Sequence, residues 1–179
     1  MLKKKLIIGL LVVLNCSNIF IGATNAHITG SWWQSGQLDP LDYYEPTGWS
    51  EVQTAETAWN NANVDPGDMD RTYDHEYYDY LIYLTTRDDV SWWGWTTIGA
   101  YGNGQIVYCT VELHDDNCPA ETDERRIVSM HEMGHVWGLD DEPANETIDS
   151  IMNPILCAAN DYSWTAPQAH DISGVNSVY

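Results

Sequence analysis

Two histidines four residues apart, a glutamate between them, and a glycine and an aspartate at set offsets beyond them constrain this chain more than any other feature. They occupy His131-Glu132-Met133-Gly134-His135-Val136-Trp137-Gly138-Leu139-Asp140-Asp141, eleven consecutive residues reading HExxHxxGxxD. On a helix, residues i and i+4 project from one face a turn apart, so the two imidazoles can close on a single ion. Glu132 is rotated away from the ligand positions and can act as a base on a water held there. Gly138 permits a left-handed step that ends the helix and sends the chain back toward the metal. That return presents Asp141, ten residues after His131. Two imidazoles and one carboxylate leave a fourth position open, as a catalytic zinc site requires. Asp140 is the adjacent rival, and only the motif offset favours Asp141.

These residues resemble the metzincin zinc endopeptidases, whose motif is HExxHxxGxxH followed by a Met-turn. Asp141 replaces the third His, which is similar to the snapalysin type of small secreted bacterial metalloprotease. Ser150-Ile151-Met152-Asn153-Pro154 looks like the Met-turn, with Met152 beneath the metal. The C-terminal run from Ala166 to Tyr179, containing Asp171-Ile172-Ser173-Gly174-Val175, is similar to the last helix of matrixin-like domains. The resemblance implies that Asp171 hydrogen-bonds into the Met-turn. His170 stands where matrixins often carry a second acidic residue that receives the mature N-terminal amine. The likeness is specific over about the last 60 residues and general before them. It implies an α+β fold of zincin type, a twisted mixed sheet with an active-site helix and a C-terminal helix. The activity it implies is peptide-bond hydrolysis, with Zn²⁺ on His131, His135 and Asp141, and Glu132 as general base. An extended substrate would then add to a sheet edge, and Gln105 to Leu113 is a candidate for that edge.

The N-terminus reads as a secretory signal peptide. Lys3, Lys4 and Lys5 precede an apolar run from Leu6 to Leu14, and Thr24-Asn25-Ala26 offers small residues for cleavage. The apolar run is too short for a membrane span. Lipoprotein anchoring at Cys16 is disfavoured by Asn15. Cleavage after Ala26 gives residues 1–26 as signal and 27–179 as a single catalytic domain, without a sizeable pro-segment. That length suffices for one core, and the chain is expected to be a secreted monomer.

All three lysines lie in the leader, so Arg71, Arg87, Arg125 and Arg126 face 27 acidic residues in the rest. Such a charge repels phosphates and excludes nucleic acid as a partner. Asp65-Pro66-Gly67-Asp68-Met69-Asp70, Asp88-Asp89 and Asp115-Asp116 could hold structural Ca²⁺ or could form a solvated acidic surface. In an oxidising compartment, Cys109 and Cys118 are the first choice for a disulfide, leaving Cys157 unpaired; pairing of either with Cys157 is the alternative.

Helical spacing of Val52, Ala55, Ala58, Trp59 and Ala62 predicts a helix over Trp49 to Ala62, capped by Thr47 or Ser50. Tyr77 to Thr86, Trp92 to Thr97 and Gln105 to Leu113 read as strands, with a turn over Gly99 to Gly104. Glu121 to Trp137 reads as the metal helix, capped by Thr122 or Asp123. Helix, strands and further helices in that order imply an α+β domain with a sheet packed on one side. The chain has nine Trp and eleven Tyr but one Phe. Trp32-Trp33 and Trp92-Trp93-Gly94-Trp95 serve either as core or as exposed platforms. His75 and His114 read as lone surface histidines. Two rival functions stay open: a binding protein on the same scaffold using the Trp-rich surface, and a zinc-dependent amidase or deacetylase.

Overall fold

The computed structural model of the chain describes residues 12–13, 28–34, 40–46, 48–143, 147–160 and 162–179. The leader features other than Val12 and Val13, together with Cys16, the Thr24-Asn25-Ala26 cleavage site and Thr47, lie outside the described residues.

The chain is a mixed α+β structure. Its strands are β1 (Val12–Val13), β2 (Leu41–Tyr44), β3 (Met69–Thr72), β4 (Tyr80–Thr85), β5 (Gly94–Ala100) and β6 (Ile106–His114). The helices are α1 (Ser50–Asn61), α2 (Thr122–Val136), α3 (Pro154–Ala159) and α4 (Ala169–Val178). The strand order is β1-β5-β6-β4-β2-β3. β3, β2, β4 and β6 run parallel, and β5 is antiparallel to β6. β1 pairs only with Gly99 and Ala100 of β5, so the five strands from Leu41 onward form the body of the sheet.

One face of the sheet carries the core. Along β6, Cys109, Val111 and Leu113 are buried, whereas Thr110 and Glu112 between them are only partly buried and Tyr108 before them is exposed, the period-two pattern of a sheet covered on one side. α1 buries Val52, Ala55, Ala58 and Trp59, the stripe that its apolar spacing predicts. Trp59 Nε1 donates to the Met130 carbonyl of α2 at 3.0 Å, tying the two helices together. α2 is buried over most of its circumference. The N-caps of α1 and α2 are Trp49 and Glu121, and neither makes a side-chain capping bond, so the expected caps at Ser50, Thr122 and Asp123 are not used.

Three further expectations are corrected. Gln105 to Leu113 is an inner strand, bonded to β4 on one side and β5 on the other, so the edge nearest α2 is β5. Cys109 and Cys118 are free, buried thiols, as is Cys157. Five residues of extended strand carry the chain about 16 Å from Cys109 to His114. The Cys118 N–H then bonds the His114 carbonyl at 3.0 Å, keeping Cys118 beside the strand end. A disulfide needs Cα atoms within about 7 Å, so the pair cannot bridge. Finally, His114 is 1% exposed and belongs to the interior, whereas His75 is exposed as expected.

The tryptophans divide between the two roles. Trp33 is 1% exposed and its Nε1 donates to Val136 O at the end of α2 at 2.8 Å, while Trp32 and Trp95 are among the exposed large side chains. No helix among the described residues is long and apolar enough to cross a membrane.

Candidate metal centre

α2 presents His131 and His135 from one face, their rings nearly perpendicular at 87° with centroids 4.8 Å apart. The helix ends because Gly138 adopts φ 93°, a conformation that L side chains rarely take, and a Cβ there would lie 2.6 Å from Ser31 O. Gly138 N–H bonds His135 O, and Leu139 N–H bonds Gly134 O, closing the last turn as the chain reverses. Asp141 arrives opposite the imidazoles, with Oδ1 3.2 Å from His131 Nε2 and 3.6 Å from His135 Nε2.

Two imidazoles and a carboxylate are a donor set that suits a tetrahedral zinc ion. With zinc bonds near 2.05 Å, tetrahedral neighbours lie about 3.3 Å apart, close to the two spacings from Asp141, while the three donor atoms together spread over 4.8 Å. The tautomers also fit. His131 Nδ1 lies 3.0 Å from Ile151 O, and His135 Nδ1 lies 2.9 Å from Leu139 O. A carbonyl oxygen only accepts, so each Nδ1 carries a proton, which leaves Nε2, the nitrogen facing Asp141, as the atom each ring would offer to an ion. Among the described residues, His131, His135 and Asp141 are the set of three metal-capable groups whose donor atoms converge, within 4.8 Å. The acidic clusters considered for Ca²⁺ form no such set there. Asp115 pairs with Arg125 and Asp89 with Arg87 instead.

Electrostatics point the same way. Burial pushes the His131 imidazole down, but the hydrogen bond with Asp141 and the charges of Glu132 and Asp141 more than offset it, raising the group to about 9. Burial pushes Asp141 up, and the His131 bond with the charges of both histidines brings it below its ordinary value. The pocket between these groups therefore favours positive charge.

Glu132 is 4% exposed and faces β5. Its Oε2 accepts a hydrogen bond from Thr96 Oγ1 at 2.6 Å. The approach of strand to helix is close enough that a Cβ on Gly94 would sit 2.5 Å from Glu132 Oε1. Neither Thr96 nor Gly94 was expected from the sequence, because nothing local in the chain links them to a residue 36 or more positions away.

Beneath α2, Met152 is buried and its Sδ packs against the bare Cα of Gly134. Asn153 N–H bonds Ser150 O at 3.1 Å, forming the turn that carries Met152. Asp171 accepts hydrogen bonds from Ser150 Oγ at 2.5 Å, from Ile151 N–H at 3.1 Å and from Gln168 N–H at 2.7 Å. Asp171 therefore joins the start of α4 to the turn whose Ile151 carbonyl orients His131. His170 Nε2 lies 2.9 Å from Glu142 Oε1, linking α4 to the residue after Asp141.

Two cavities meet at the centre, and both are lined by His131, Glu132, Trp92 and Gly94. One, about 340 Å³, runs under Trp93 toward Ile127, Cys157 and Tyr162. The other, about 230 Å³, extends along β5 past Trp95 and Thr96 to His135 and Asp141. No protein-family model matches the chain, and no curated protein matches it.

Proposed function

We propose that this chain is a secreted, zinc-dependent endopeptidase of metzincin type. The observation that supports this most strongly is the pair of Nε2 atoms on His131 and His135 facing Asp141 Oδ1, with the Glu132 carboxylate lining the same cavities. Zinc, when bound, would polarise the scissile carbonyl and bring the acidity of water close to neutral pH. Glu132 takes the proton from the attacking water and returns it to the departing amine. Thr96 holds that carboxylate in place. Asp141 brings a negative charge that a third imidazole would lack, which moderates the Lewis acidity of the centre.

The substrate reading draws on β5. Its outer edge from Gly94 to Ile98 has no strand partner among the described residues, and Gly94 and Thr96 line the cleft. An extended peptide can add there through main-chain bonds. A mixed sheet with one antiparallel strand beside the metal helix, and Met152 under that helix, supports the metzincin fold. The basic leader supports secretion.

Trp95, exposed in the cleft, is the observation that favours a second reading, a zinc-dependent deacetylase or a glycan-binding protein. Zinc content, together with cleavage of casein with and without a chelator, separates the three. Glu132→Gln should keep its zinc and lose turnover by at least about a hundredfold; undiminished proteolysis in that variant rules out the assignment.

A further inference from the structure

The cavity under Trp93 owes one wall to residues that take no part in the proposed hydrolysis. β4 and β6 are parallel neighbours and β5 runs antiparallel on the far side of β6, so the connection from Thr85 to Gly94 must pass over the end of β6. His114, the last residue of β6, lies buried under that crossing. Its Nε2 is 2.8 Å from Arg87 O, and its Nδ1 is 3.0 Å from the Asn117 N–H. The carbonyl only accepts and the amide only donates, so His114 is the neutral Nε2–H tautomer with both ring nitrogens engaged.

The neighbours of His114 complete the anchorage. The His114 N–H bonds Trp93 O at 2.8 Å, and the Asp115 N–H bonds Thr85 O at 3.1 Å. Asn117 Nδ2 donates to Val90 O at 2.9 Å and more weakly to Trp92 O at 3.4 Å. The Trp92 ring stands edge-on to the His114 ring at 5.6 Å. The loop so fastened supplies Ser91, Trp92 and Trp93 to the cavity, and Trp93 packs on Tyr162, another lining residue, with ring centroids 5.4 Å apart.

We propose that His114 and Asn117 are positioning residues that clamp the 86–93 loop and so set the width of the cavity beside Glu132, and with it which substrate side chain is accepted next to the cleaved bond. The specificity part of this rests on the endopeptidase reading; the clamp does not. One methylene in a fitted apolar pocket is worth roughly 10- to 200-fold in discrimination. A loop freed from these bonds fits side chains less closely and loses much of that.

The test uses the zinc-loaded full chain as wild type, Asn117→Ala and His114→Gln. Asn117→Ala removes the side-chain bonds to Val90 and Trp92 at a partly exposed position, so it serves if the buried His114→Gln fails to fold. Amide hydrogen exchange is followed across 86–93, and kcat and KM are measured on peptides whose residues flanking the cleaved bond run from Ala to Leu, Phe and Trp. The expected result is faster exchange confined to the loop, with about a tenfold loss in the preference for large apolar over Ala peptides and an unchanged kcat on the Ala peptide. Unchanged loop exchange overturns the clamp. Faster exchange with every peptide slowed alike, or with preference unaltered, overturns the specificity role. If the wild type cleaves no peptide of the series, the endopeptidase reading falls with the specificity role, and loop exchange alone decides the clamp.

Discussion

Thr96 Oγ1 donates to Glu132 Oε2 at 2.6 Å, across the gap between β5 and α2. The same strand that would receive the substrate thereby holds the proposed base. A hydrogen bond to a charged group contributes about 1.5–3 kcal/mol. Thr96→Val keeps the shape and removes the donor, so kcat on a fluorogenic peptide should fall roughly tenfold to hundredfold. Zinc content should not change, and Thr96→Ser should restore most of the rate. A Thr96→Val enzyme with full kcat would show that Glu132 needs no such support.

Gly134 sits on α2 one residue before His135, with Met152 Sδ against its Cα. At an exposed helix position Gly→Ala would stabilise by about 1 kcal/mol. Here a Cβ would come within 2.4 Å of that sulfur. Met152 is 1% exposed and has little room to retreat, so overpacking, at about 1–3 kcal/mol, outweighs the propensity gain. Gly134→Ala should therefore lower the unfolding free energy in a denaturant titration. Adding Met152→Ala should return part of the loss, a coupling that a double-mutant cycle measures. Additive effects would mean that the two residues do not press on one another.

His131, Glu132 and His135 were legible because a helix fixes how residues three and four apart share a face, whatever the rest of the chain does, and Asp141 because it follows the helix-ending glycine at the motif's offset. Gly138 was legible for the same local reason. Thr96 and Gly94 were not, since their approach to Glu132 depends on how β5 docks on α2. β2 and β3 are only four residues long and carry polar residues such as Asp42, Asp70 and Arg71, so neither has the apolar alternation that marks a strand by itself. Cys109 and Cys118 are close in sequence but are kept apart by extended β6. His114 reads as a surface histidine until the loop from β4 to β5 is seen to cross above it.

Asp42 and Asp70 lie directly opposite one another on β2 and β3. Burial pushes the Asp42 carboxyl up, and the charges of Asp79 and Asp70 add to the rise. A carboxyl raised in the folded state favours folding below its unfolded value, and that contribution is lost as pH rises through the folded value. Ionised Asp42 is therefore a burden at neutral pH. Asp42→Asn should melt higher than wild type at pH 7 and at the same temperature at pH 3, with the difference shrinking in high salt as the like charges are screened. An equal gain at both pH values would locate the effect in packing rather than charge.

The choice between Asp140 and Asp141 as third ligand can be decided by their different engagements. Asp140 Oδ1 accepts the backbone N–H of Asp141 at 2.9 Å, so it is occupied in shaping the turn. Asp141 Oδ1 is the atom that reaches the Nε2 of both imidazoles, at 3.2 and 3.6 Å. Removing an outer-shell partner of a metal site typically weakens binding by about 10- to 100-fold, and removing a ligand should weaken it more. Asp141→Ala should thus lose zinc affinity by more than about a hundredfold in competition with a chromophoric chelator, and activity with it. Asp140→Ala should lose less than about tenfold, through a looser turn alone. The reverse order of affinities would move the ligand to Asp140 and require the chain after Leu139 to turn differently when the ion binds.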